Sequence, residues 1–452
     1  MNQHIFREYD IRGLVGTDLT EETVSILAKA IGTYFANQGV NTVSLGYDAR
    51  ESSPIFCQIF ADGLNQTGLN VLNVGMVPTP LLYFTLFTEQ VEAGVMITGS
   101  HNPAAFNGFK LCLDKSTLHG EQIQKIKEIA LNQSFSNGNG IVKTKDISDN
   151  YLDFVKENIN LGKRKLKVIV DAGNGIGGII GAPLYQQLGF EIIELFIEPD
   201  SRFPNHHPDP TEAKNMQDAI EAVHQHQADL AIAFDGDGDR IGVVDEKGNI
   251  IWGDELMSIF SRSILEKQKG ATFIAEVKCS QRLFDDIEKH GGKAIMSKVG
   301  HSLIKAKMKE TNAVLAGEMS GHIFFADRFF GFDDAIYSGA RLLEILSKSD
   351  KPLSEYLSDL PKAVNTPEIR IDCADDKKFE IVKRLTEEFK QTNEVIDIDG
   401  ARILFENGWG LVRASNTQAI LVLRFEAIDE KSLNEIQQIV EAKLQTVIKT
   451  LT

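Results

Sequence analysis

Four cysteines are all that 452 residues contain, and Cys57, Cys112, Cys279 and Cys373 are too far apart for a C-x-x-C pair. This excludes a disulfide framework and a cysteine zinc site, and fits buried thiols in a reducing, cytoplasmic setting. Long apolar runs are missing too: none reaches the ~18 residues of a membrane span. The opening residues, Met1-Asn2-Gln3-His4, carry no signal-peptide pattern, so no membrane is expected as a partner. Basic charge is also scarce. Against 64 Asp and Glu stand 47 Lys and Arg, a net charge of −17, which argues against nucleic acid or an anionic membrane. An anionic ligand would need a local pocket of positive charge.

What the chain does have is length and ordinary globular composition. At about 150 residues per domain it implies three or four domains. Helical spacing over 21–38, strands at Val43–Leu45 and Asn70–Val74, and a break at Pro78-Thr79-Pro80 give alternating α/β order. A linker is expected at 134–140, and a second α/β unit from about Asn150. A third unit is expected from about Asp254, with a helix over Gln281–Lys289. From Glu368 the order changes to strands segregated from two helices, at Asp376–Lys390 and 430–449, as in a small antiparallel α+β domain.

Several apolar strands stop abruptly at polar, glycine-bearing loops, where ligands sit in α/β domains. Gly94-Val95-Met96-Ile97 runs into Thr98-Gly99-Ser100-His101-Asn102-Pro103, which stands Ser100 and His101 on a tight turn. Lys110 is near enough in sequence to return a cation to that loop. Arg12, beside Gly13 in a segment too polar for a core strand, can offer a guanidinium.

Leu230–Phe234 ends in Asp235-Gly236-Asp237-Gly238-Asp239-Arg240, three carboxylates two residues apart. They would repel one another unless a cation sat between them, and the glycines let the backbone curl around it. An EF-hand is the rival, with Glu246 at its twelfth position. Arg240 stands where that loop needs glycine, and strands flank it, so an open Mg²⁺ site is preferred.

Lys298 and His301 lie at a helix start, where phosphate is favoured. In Gly317-Glu318-Met319-Ser320-Gly321-His322 the alternating Glu318, Ser320 and His322 would share one side of an extended strand and could grip sugar hydroxyls. Arg413-Ala414-Ser415-Asn416-Thr417 offers a guanidinium, two hydroxyls, an amide and backbone N–H groups, a phosphate cradle. Two other patterns are weaker. Gly173 to Gly178 matches G-x-G-x-x-G, with Glu191 or Glu194 as a ribose ligand, but a close-packed strand-to-helix turn is the better reading. His206 and His207 are a weak metal candidate.

A hydroxyl nucleophile, a carboxylate metal site and several cations suit phosphoryl transfer. Thr98 and Asn102 stand where a serine esterase needs glycines, and with no P-loop present Ser100 is the phosphoryl carrier in place of ATP. From Phe6 to Phe425 the order and spacing of these motifs resemble the α-D-phosphohexomutases, and most closely the bacterial bifunctional phosphomannomutase/phosphoglucomutase group.

The resemblance implies three similar α/β domains (1–146, 147–251, 252–362) and a C-terminal α+β lid (363–452) around a central cleft. It implies phospho-Ser100, with Mg²⁺ held by its phosphate and by Asp235, Asp237 and Asp239. Arg12, His101, Lys110 and Arg240 would surround the phosphoserine. Tyr9, Lys298, His301, Glu318, Ser320 and His322 would meet the sugar phosphate, with proton transfer open to Lys298 or His301. Arg413, Ser415, Asn416 and Thr417 would hold the phosphate that is not reacting. Hexose 1- and 6-phosphates would interconvert through a hexose 1,6-bisphosphate, with glucose 1,6-bisphosphate as activator and the chain a monomer or weak dimer. Met319, where phosphoglucosamine mutases typically carry glutamine, makes that activity the runner-up within the class. A catalytically silent sugar-phosphate or metal-binding protein is the rival outside it.

Overall fold

The computed structural model describes residues 1–416 and 418–451. Four sheets follow one another along the chain, and each organises one domain. In the first, Thr42–Tyr47 lies parallel to both Asn70–Met76 and Ala93–Ile97, and Phe106–Leu113 returns antiparallel to Ala93–Ile97. In the second, Leu230–Phe234 is parallel to Lys167–Asp171 and antiparallel to Ile241–Asp245. In the third, Leu315–Gly317 is parallel to Thr272–Glu276 and antiparallel to Ile323–Phe325. Each functional loop is therefore the turn from a parallel strand into its antiparallel follower. These strands are apolar because both faces are covered: Ala93–Ile97 and Leu230–Phe234 are buried along their whole length.

The fourth sheet is antiparallel, built mainly on Ile420–Ala427, Gly408–Ala414 and Ala401–Phe405, with Lys378–Phe389 and Glu430–Leu451 as its helices. Among the described residues no helix is long and apolar enough to cross a membrane.

Two local expectations need correction. The Pro78–Pro80 stretch opens a helix, Thr79–Thr88, with proline in its first turn, where a missing N–H costs nothing. Leu81, Leu82, Tyr83 and Phe84 are all buried, so no polar stripe reveals the 3.6-residue period. The polar segment around Arg12 does form a strand, Ile11–Leu14, at the sheet edge against Phe106–Leu113.

The largest apolar core joins the back of the first domain to the second and third, while the fourth has its own. Phe84, Phe154, Phe329, Phe330 and Phe332 interlock in that shared core, which ties the first three domains into one block.

Candidate active site

Ser100 has φ +48, a left-handed conformation that a residue with a Cβ adopts only under constraint. The constraint is Arg50. Its guanidinium donates to the carbonyls of Pro103 (2.7 Å), Phe106 (2.8 Å), Ser100 (2.8 Å) and Asn102 (2.5 Å). Asp48 orients Arg50 through Nε at 3.2 Å and accepts from the Gly99 N–H at 3.1 Å. Gly99 is required there, because a Cβ would lie 2.3 Å from Cζ of Arg50. The outcome is a buried hydroxyl whose Oγ lies 3.2 Å from Nδ1 of His101 and 3.0 Å from Oδ2 of Asp235.

The aspartate loop meets the serine loop face to face, and a Cβ on Gly236 would lie 2.3 Å from the Ser100 carbonyl oxygen. Oδ1 of Asp235 accepts from the N–H groups of Gly238, Asp239 and Arg240 at 3.0 to 3.1 Å, which curls the loop and aims Oδ2 at Ser100. Asp237 accepts at Oδ2 from Lys110 Nζ (2.7 Å) and from the Thr79 hydroxyl (2.5 Å). Lys110 also donates to Asp239. The three carboxylates are fully buried, and oxygens from each lie within 4.8 Å of one another.

Burial and the charges of Asp239 and Asp237 push the Asp235 carboxyl well up, while Oδ1 of Asp237 is buried with no hydrogen-bond partner among the described residues. Excess negative charge plus an orphaned carboxylate oxygen is the donor set of a hard, oxygen-seeking divalent cation, so the site fits one. The EF-hand alternative fails on its flanks, which are strands.

The third loop joins the second through a backbone bridge between Arg240 and His322. Glu318 to His322 is a tight hairpin closed by Glu318 N–H to the His322 carbonyl (2.9 Å), with Gly321 at φ +86, and not the extended strand expected from its alternation. Its three side chains still converge: Nδ1 of His322 lies 2.8 Å from Glu318 and 3.2 Å from Ser320 Oγ. Burial opposes charge on His322, but Asp239 and Glu318 outweigh it and raise its pKa to about 9. Burial likewise opposes the Glu318 charge, yet His322 and the Gly300 N–H (2.7 Å) hold it at about 2. His301 is held neutral by burial and by the cations of Lys305 and Lys110. Burial, Arg240 and Arg12 do the same to His101.

Arg12 pairs with Asp10 at 2.5 Å and remains partly exposed. Tyr9 crosses between domains, its hydroxyl donating to the Val299 carbonyl (3.2 Å) and accepting from Asn416 (2.9 Å). Arg413 is buried and bonded to Asp399 at 3.1 Å, and Ser415 Oγ accepts from the Gln418 N–H at 3.2 Å. Thr417 lies outside the described residues. Lys298 is exposed and makes no ion pair among the described residues, next to Val299, which bonds Asp399 and Tyr9.

Asp48 and Arg50 were not singled out in the sequence, although Gly46-Tyr47-Asp48-Ala49-Arg50 also ends an apolar strand. Asp333 was missed as well; it accepts from Lys305 at 2.8 Å and lies 3.7 Å from His301. The Gly173–Gly178 turn is a packing device, as preferred: a Cβ on Gly175 would lie 2.9 Å from Gly236, and one on Gly177 3.0 Å from Phe234. His206 bonds Asp171 at 3.0 Å, a pairing that steadies this turn.

A four-domain α/β chain that sets a hydroxyl over a carboxylate cluster has the architecture of an intramolecular phosphotransferase, an isomerase. Four models of the phosphoglucomutase/phosphomannomutase family match in order: α/β/α domains I, II and III over residues 3–137, 149–248 and 252–364, and the C-terminal domain over 368–443. A phosphomannomutase/phosphoglucomutase of Pseudomonas aeruginosa is 45% identical over 448 residues, covering 99% of this chain and 96% of the relative. A phosphoglucomutase of Neisseria gonorrhoeae is 46% identical over 451 residues, covering 99% and 98%. The crystal structure of a phosphoglucomutase/phosphomannomutase family protein from Burkholderia thailandensis superposes with a TM-score of 0.94 at 40% identity, over 99% of this chain and 98% of that one. The chain belongs to the phosphoglucomutase/phosphomannomutase family.

Proposed function

We propose that the protein interconverts the 1- and 6-phosphates of glucose and of mannose, with Ser100 as the phosphoryl carrier. The observation that carries this is Ser100 Oγ, 3.0 Å from Asp235 and held in a left-handed turn over three buried aspartates. A phosphoryl group on that oxygen would sit among Arg12, His101, Lys110 and Arg240. Asp235, Asp237 and Asp239, with a phosphate oxygen, would hold one Mg²⁺. When bound, the ion neutralises charge on the transferring group.

The chain's own groups supply the rest. A sugar hydroxyl oxygen bonds to phosphorus as the P–O bond to Ser100 breaks. The hydroxyl proton passes to a base, for which neutral His301 is suited, and Ser100 recovers a proton from its surroundings. Glu318 and Ser320 take the 3- and 4-hydroxyls, which glucose and mannose share in configuration, while His322 fixes Glu318. Arg413, Ser415, Asn416 and Thr417 take the distal phosphate, beside Tyr9. The hexose 1,6-bisphosphate then turns end over end and returns its other phosphate to Ser100. Added glucose 1,6-bisphosphate would prime the serine. The division of labour follows domains ending near residues 146, 251 and 362, and the fourth closes as a lid.

Steady-state rates with glucose 1-phosphate and mannose 1-phosphate, primed with glucose 1,6-bisphosphate, test the reading. Both should turn over with Mg²⁺ present, and no 6-phosphate from either sugar would end it.

A further inference from the structure

Among the described residues, two of the joins between the fourth domain and the rest of the molecule differ in kind. At the first, fully buried Arg402 donates to the carbonyls of Val277 and Cys279 at 2.6 and 2.8 Å and lies 3.8 Å over the Trp409 ring. Arg424 donates to the Lys278 carbonyl at 2.6 Å, and Val277, Trp409 and Leu411 form a small apolar core between the domains. Nothing in this join is a ligand-binding group in the reading above. It has the character of a pivot.

At the second join the backbone of one residue does the bridging. The Val299 N–H donates to Oδ2 of Asp399 in the fourth domain at 3.0 Å. The Val299 carbonyl accepts from the hydroxyl of Tyr9, in the first domain, at 3.2 Å. The same Asp399 oxygen accepts from Nε of Arg413 at 3.1 Å and pairs with its Nη2 at 3.1 Å. The Tyr9 hydroxyl accepts from Nδ2 of Asn416 at 2.9 Å. Both backbone polar groups of one residue, in the two peptide units that flank its Cα, are thus held, and each holder is bonded to a residue of the Arg413–Asn416 loop. Gly300, next in the chain, has φ +129, and a Cβ there would lie 2.7 Å from Cζ of Tyr9, so the ring rests on bare backbone.

We propose that the backbone of Val299 is the latch of the closed cleft, and that Asp399 is a positioning residue coupling closure to the phosphate grip of Arg413. This rests on the reading of Arg413 and Asn416 as the distal phosphate site. Hydrogen bonds to a loop peptide exchange with water at small net cost, so this join opens while the buried pivot holds. Closing it turns the Arg413 guanidinium and the Asn416 amide to the orientation in which an incoming phosphate meets them. The ligand then does not bear the cost of ordering them. Linkage makes the effect reciprocal: a closed latch favours the phosphate by the factor by which the phosphate favours the latch.

The test compares kcat and KM for glucose 1-phosphate, at saturating glucose 1,6-bisphosphate, in Asp399→Asn, Tyr9→Phe and the double variant. Asparagine keeps an acceptor for the Val299 N–H but loses the charge that orients Arg413. Phenylalanine keeps the ring on Gly300 and loses both hydrogen bonds. Each single change should raise KM roughly tenfold with a smaller fall in kcat. The double variant should be little worse than the poorer single one, since each change alone already uncouples closure from the phosphate grip. Two unchanged KM values, or effects that multiply in the double variant, would overturn the latch.

Amide hydrogen exchange gives a readout that a merely structural role would not move. The peptide spanning Val299 should gain protection when glucose 1,6-bisphosphate binds wild type, and not in Asp399→Ala; equal gains refute the proposal. Wild-type turnover in the same assay keeps the two ideas apart, because its absence would strike the mutase reading and not the latch.

Discussion

The two ends of the cleft are built on opposite plans. Around Ser100 the groups that shape the loops are buried and fixed by several partners: Arg50 spans four carbonyls, Asp235 gathers three N–H groups, and Lys110 joins two aspartates. Around Arg413 the hold is thinner: Arg413 pairs with Asp399 of its own domain, and hydrogen bonds from Val299 to Asp399 and from Asn416 to Tyr9 cross between domains. The difference separates chemistry from recognition. A reacting phosphoryl group needs preorganised charge that does not move during the step. On the proposed reading, the Arg413 end only holds the other phosphate and must release it, so that a bisphosphate can turn around.

Substitutions at the two ends should therefore differ in size and in kind. The largest effect belongs to the aspartates: Asp237→Asn should cut kcat by at least ~100-fold and weaken Mg²⁺ binding, because the remaining anions no longer balance the ion. Titration calorimetry with Mg²⁺ and turnover measured together check this, and chelated enzyme should recover on adding Mg²⁺. Arg50→Lys comes next. A lysine ammonium cannot span the Pro103, Phe106, Ser100 and Asn102 carbonyls, so Ser100 drifts; kcat should fall by about 100-fold with KM nearly unchanged. A KM rise equal to the kcat loss would erase the contrast between the two ends.

At the other end Arg413→Ala should move KM and kcat together, each by roughly tenfold, since it weakens binding and closure at once. Small-angle scattering sharpens the point: the contraction on binding glucose 1,6-bisphosphate should shrink in this variant. The smallest effect on turnover is expected for Arg402→Met at the pivot. It leaves two buried carbonyls unpaired and should cost about 2–4 kcal/mol, read as an earlier thermal transition of the fourth domain.

Much of this was legible in the sequence where a local rule governs. Apolar strands broken by glycine-spaced polar residues marked the loops at Ser100, Asp235 and Glu318, because strand-end loops must shed their apolar pattern to be functional. The helix Thr79–Thr88 was not legible, since burial on all sides erases its periodicity. Arg50 was hidden for another reason: its partners are backbone carbonyls some fifty residues away, which no side-chain pattern records. Glu318, Ser320 and His322 converged as expected but by a glycine-assisted hairpin, so the grouping was right and the backbone wrong. Lys298 could be placed at a helix start from sequence, but its exposure depends on the fold around it.

The most direct test of the central claim is peptide mapping by mass spectrometry after incubation with glucose 1,6-bisphosphate, followed by a single-turnover chase with unlabelled glucose 6-phosphate. One phosphate should appear on the peptide holding Ser100 and be lost to the sugar at a rate no slower than steady-state turnover, and Ser100→Ala should show neither phosphate nor mutase activity. A mutase that turns over at a normal rate with Ser100 unphosphorylated, or replaced by alanine, would contradict that claim.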